Sequence, residues 1–74
     1  MLTAQQFRNL QAAHAARIDA MLAVDHTAFM AAHRDINRLE ATAYRRARTR
    51  HDYTTAMRQL DLAAQHPAAL ETTA

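Results

Sequence analysis

Cysteine, glycine, tryptophan, lysine and serine are all absent from these 74 residues, and proline occurs once, at Pro67. Without cysteine there is no disulfide staple, no thiolate nucleophile and no thiolate zinc site. Without serine, cysteine or lysine the common nucleophiles are missing, and without glycine there is no flexible loop to cradle a phosphate. Acids and histidines alone could still move protons. A thin helical domain, however, is expected to leave little room for a ligand pocket of about 300 Å³ or more. The chain therefore reads as a non-enzyme without a cofactor. No stretch approaches the ~18 uninterrupted apolar residues of a membrane span. The first residues lack a basic region followed by an apolar run, so no secretory leader is expected. The expected compartment is the cytoplasm of a bacterial or infected host cell.

The lack of glycine and near-lack of proline favour helices, with turns left to Asp, His and Thr. Half of the residues are hydrophobic, but much of that fraction is alanine, which adds little buried area. Seventy-four residues make one domain at most. A core this thin points to completion by a second copy or by a partner.

The start signals are explicit. Thr3 followed by Gln6 fits a capping box, and Leu2 with Phe7 has the spacing of a hydrophobic staple. Phe7, Leu10, His14, Ile18, Met21 and Leu22 then recur on one helical face, predicting a helix over 4–23. Asp25 is a good N-cap, and Val24 with Phe29 repeats the staple spacing. The stripe Phe29, Ala32, Ile36, Leu39, Ala43 and Ala47 predicts a second helix over 26–49. Asp52 is read as the cap of a third helix over 53–65, ended by Pro67. The expected fold is all-α: a small three-helix bundle at 1–66 with a flexible tail at 67–74. If the second and third helices merged into one rod, a helical hairpin pairing into a dimeric bundle would result.

Charge is concentrated in one place. Arg45, Arg46, Arg48 and Arg50 form an acid-free stretch, while the rest of the chain carries five arginines against seven acids. On a continuous helix Arg34, Arg38, Arg45 and Arg48 share one sector opposite Ile36, a ridge about 21 Å long at 1.5 Å per residue. Guanidinium forks suit carboxylates and phosphates. The expected partner-binding residues are Arg34, Arg38, Arg45, Arg46, Arg48 and Arg50, and the expected partner is a protein with an acidic surface. Such a factor would act in an accessory, regulatory or inhibitory role of the sort phages and plasmids encode. A solvated helix face and complementation of a helix dipole are the plain alternatives. Nucleic acid is the second expectation, held back by a net charge of only +2 and by the lack of a stacking platform.

A third expectation is self-association. Ala12, Ala16, Ala20 and Ala23 form a row of small residues on the first helix, placed opposite its apolar face, that would let a second copy approach. The five histidines, at 14, 26, 33, 51 and 66, include no pair three or four residues apart, so no helical metal chelate is expected. Glu40 lies close to the apolar stripe of its helix and needs either water or a partner such as His14 or Arg17.

Overall fold

The computed structural model describes residues 1–70. Three helices follow one another: α1 (Ala4–Leu22), α2 (His26–Arg45) and α3 (Arg50–Gln65). The chain is a small all-α three-helix bundle. Of the tail predicted at 67–74, residues 71–74 lie outside those described, and 67–70 are not helical.

Local chemistry sets each boundary. At α1 the Thr3 hydroxyl accepts the Gln6 amide at 3.1 Å while the Gln6 side chain accepts the Thr3 amide at 2.9 Å, a closed capping box. The end of α1 is a Schellman turn: the Asp25 amide donates to the Ala20 carbonyl and the Val24 amide to the Met21 carbonyl. Val24 occupies the left-handed position of that turn with φ of 53°. Asp25 then caps α2 by accepting the Ala28 amide at 3.0 Å. Val24 is 91% exposed, so its staple spacing with Phe29 buries little.

The second boundary corrects the sequence reading. α2 stops at Arg45, four residues before the predicted end, and α3 begins at Arg50, three residues before the predicted start. Asp52 is not the N-cap. Thr49 is, accepting the Asp52 amide at 3.1 Å, while Asp52 Oδ2 accepts the Thr49 and Arg48 amides at 3.2 and 3.0 Å. These two backbone donors hold the Asp52 carboxyl below its ordinary range. The buried Ala47 anchors the short connection between the helices.

The core is built largely from the smallest side chains. Of its twelve buried apolar residues seven are alanines, and the large ones are Leu2, Leu10, Ile36, Leu39 and Leu60. Ala13 and Ala20 on α1, with Ala32 and Ala43 on α2, are buried. Small side chains let two helix backbones come close, and the contact of α1 with α2 is the most extensive of the three helix pairs. α3 adds Ala56, Leu60 and Ala63, and Phe7 packs against the edge of this cluster.

Two polar clamps hold α3 on α1. Gln59 bonds both backbone groups of Leu2, at 2.7 Å to its amide and 3.3 Å to its carbonyl. One helical stretch later, the Gln11 side chain donates to the His66 carbonyl at 3.0 Å, and the Gln11 carbonyl accepts the Ala68 amide at 3.2 Å. The last turn of α3 is therefore level with Gln11. The following eleven residues of α1, about 16 Å at 1.5 Å per residue, extend past it.

That length mismatch overturns part of the predicted α1 stripe. Leu10 and His14 are buried, but Ile18, Met21 and Leu22 are exposed. The packing face is rotated toward Ala13 and Ala20 because α2 closes on the alanine side, and α3 ends before it could cover the large residues.

Candidate partner-binding surface

The six predicted arginines are all exposed, but they do not form one straight ridge. Arg34, Arg38 and Arg45 lie on the outer face of α2, opposite Ile36, over about 16 Å. Arg46 is the C-cap of α2, Arg48 sits in the connection, and Arg50 opens α3. The expected 21 Å rod is broken after Arg45, because Thr49 and Asp52 start a new helix there. Four arginines are thus gathered at one corner of the bundle.

Arg38 alone among these residues has an acidic partner within 4 Å among the described residues, an exposed contact of 3.6 Å to Asp35. Such a pair contributes little to stability. Asp52 is the acid nearest in sequence to the corner, but Oδ2 is taken by the backbone amides of Arg48 and Thr49. The corner thus keeps its guanidinium charges free of a carboxylate partner among the described residues.

Helix electrostatics separate these arginines. Arg45 lies in the last turn of α2 and Arg46 caps it, where positive charge is favoured by the helix dipole. Arg50 stands at the opposite kind of position, the first residue of α3, where a cation is disfavoured by roughly 0.3–1 kcal/mol. Dipole complementation accounts for two arginines of the corner and runs against a third.

Beside them sits an aromatic pair. Tyr44 and Tyr53 stack with ring centroids 6.1 Å apart and planes inclined by 27°. Both rings are more than one-third exposed. Their sequence positions flank the arginine stretch, which was the available signal. Whether they meet is decided by where α2 ends. Tyrosine and arginine are the side chains over-represented where protein interfaces concentrate their binding energy.

The alanine row does not lie opposite the packing face. Ala20 is buried within the chain's own α1–α2 seam, Ala12 is half-buried, and Ala16 and Ala23 are exposed. Ala12, Ala13 and Ala16 line one side of an open groove of about 300 Å³, faced by Asp35, Arg38 and Leu39 of α2 and by Leu70. A space of this size exceeds the little room expected of so thin a domain, and the ionisable side chains that line it are Asp35 and Arg38.

His14 is 9% exposed, and its Nδ1 has no hydrogen-bond partner. Burial pushes this imidazole below its ordinary value of 6.5, Arg17 acts in the same direction, and Glu40 across on α2 opposes them. A histidine whose folded-state pKa is depressed contributes its full stability above the unfolded value and loses it as pH falls through the folded one. Urea midpoints should therefore drop when pH is taken from 7.5 to 5, and His14→Gln should flatten that drop. An unchanged pH profile in the variant would assign the acid sensitivity elsewhere. His33 does not approach His14 in a metal site but stacks on Phe29, with centroids 6.1 Å apart. Among the described residues no three His, Asp or Glu side chains converge on a common point for a metal ion. Among the described residues no helix is long and apolar enough to cross a membrane.

Compared with known proteins, the chain matches no family, no curated sequence and no solved structure.

Proposed function

We propose that this chain is a non-enzymatic binding factor whose α2–α3 corner engages an acidic surface of a partner protein. The observation that carries this reading is the corner itself: Arg45, Arg46, Arg48 and Arg50 lie together, without a carboxylate partner among the described residues, beside the stacked Tyr44 and Tyr53. Guanidinium groups grip carboxylates in a planar fork, and half-exposed tyrosines add apolar area at little entropic cost. Arg34 and Arg38 extend the same charge along the outer face of α2. Occlusion or regulation of the partner is the mode of action that fits such a corner.

A second reading, nucleic-acid binding, draws on one specific observation. The tyrosine pair offers ring faces beside arginines, and bases stack on such rings. The modest net charge of +2 weighs against it, because affinity for nucleic acid grows with the number of phosphates neutralised.

The same pair of exposed substitutions tests both. Arg46→Glu with Arg48→Glu should abolish capture of the partner from a lysate of the source cells, with capture unaffected by nuclease. If the retained proteins are unchanged, the corner is not the binding surface. If capture disappears on nuclease treatment and a short duplex or single-stranded probe binds at 50 mM salt, nucleic acid is the ligand.

A further inference from the structure

The seam between α1 and α2 has two sides, and α3 covers one of them. Leu10 faces the cluster shared with α3, and Ala12 stands about 160° round α1 from it at 3.6 residues per turn. The groove on Ala12's side is walled by α1, α2 and Leu70, not by α3. Its floor is the back of the core, because Ala13 and Leu39 belong to the Leu10 cluster and also line the groove. Ala12 and Ala16 form the α1 wall, and Asp35 and Arg38 stand on the α2 side. A space of about 300 Å³ with an apolar floor and a few polar groups at its rim suits an apolar side chain.

The chain brings such a side chain to the groove itself. α3 ends at Gln65 because Pro67 cannot continue it and keeps His66 out of the helical region, at φ −126° and ψ 63°. The backbone then crosses α1, and Gln11 ties it down at two points. The Gln11 side chain donates to the His66 carbonyl, and the Gln11 carbonyl accepts the Ala68 amide. Two residues on, an extended reach of about 7 Å, Leu70 lines the groove. Residues 66–70 are thus a strap that leaves α3 on one side of α1 and arrives at the groove on the other.

The strap is seated loosely. Leu70 remains 51% exposed, Pro67 is half-buried, and Ala68 and Ala69 are exposed. The Gln11–His66 hydrogen bond is exposed as well. A segment with so little buried surface opens far more readily than the helices beneath it unfold. We infer that the groove is a binding site for a leucine-sized aliphatic side chain on an extended peptide, and that the chain's own residues 66–70 are its resident occupant. The occupant closes within one chain, since the tie at Gln11 holds Leu70 at high effective concentration beside the groove. Any other peptide of this kind enters only when the strap lifts. The inference does not rest on the function proposed for the corner.

The test uses the full chain, its Leu70→Gln variant, and a synthetic peptide of residues 66–74 as the probe. In the wild-type chain, nuclear Overhauser contacts should join the Leu70 methyls to those of Ala12 and Ala16, unchanged on dilution. Because Leu70 is half exposed, Leu70→Gln should keep its helicity by circular dichroism. The peptide should bind Leu70→Gln at least about 10-fold more tightly than wild type, as a groove occupied about nine-tenths of the time requires. Adding Ala16→Glu, at an exposed position of the groove wall, should abolish that binding and leave the helicity intact. Equal affinity of the peptide for wild type and Leu70→Gln overturns the strap. Absence of binding to Leu70→Gln, or binding that survives Ala16→Glu, overturns the site. Leu70 contacts that fade on dilution would seat the strap of a second copy in the groove and overturn closure within one chain.

Discussion

Leu10→Ala is expected to remove about 2–5 kcal/mol of folding stability, a large fraction of what a domain of this length holds. Among the described residues Leu10 is the one large side chain that is fully buried. It lies within the single cluster that joins all three helices. Truncation deletes three carbons from the centre of that cluster. Half of the other buried members of the cluster are alanines, which have no side-chain torsions with which to swing into the space. A domain of this length holds roughly 4–11 kcal/mol in total at about 0.05–0.15 kcal/mol per residue. Thermal unfolding followed by circular dichroism should show the midpoint falling by at least about 10 °C, at about 4–8 °C for each kcal/mol. A fall of only a few degrees would mean that Leu10 is not the keystone of the core.

The opposite change should also be damaging. Ala43 is fully buried on α2, and its carbonyl accepts the Met1 amino group at 3.1 Å. Ala43→Leu forces three extra carbons into the place where the start of α1 comes down on α2. Overpacking of this kind costs about 1–3 kcal/mol. The same substitution at Ala41, exposed on the same helix, should stay within about 0.5 kcal/mol. Urea denaturation of the two variants, compared at one protein concentration, separates loss of fit from any general effect of leucine on the helix. Equal midpoints would show that the seam has slack.

Both expectations rest on a feature that hydrophobic periodicity weighs poorly. Two helix starts were fully legible: Thr3 with Gln6 and Asp25 with Ala28 act as their spacing predicts, because capping needs only neighbours in sequence. The third start was legible in principle. Thr49 with Asp52 has the same three-residue spacing as Thr3 with Gln6, but the long in-phase stripe running to Ala47 masked it. What could not be read was the relative length of the helices in space. Ile18, Met21 and Leu22 have the periodicity of core residues and are exposed because α3 stops level with Gln11, a fact fixed by tertiary clamps at Gln11 and Gln59. The arginine cluster was visible as composition, whereas its placement at a corner beside the Tyr44–Tyr53 stack depends on where α2 ends. Alanine, read as adding little buried area and as a row for a second copy, forms much of the chain's own core.

The alanine seam also shapes how this fold responds to temperature. Alanine has no side-chain rotamers to lose, so seven of the twelve buried apolar positions are ordered without any side-chain entropy penalty. They also hide little hydrocarbon. The heat capacity of unfolding, which scales with apolar surface at about 0.45 cal/K/mol per Å², is held low as a result. A low heat capacity flattens the curve of stability against temperature. The bundle should therefore change little in stability between cold and warm conditions, keeping a modest margin over a wide range in place of a large one near a sharp optimum.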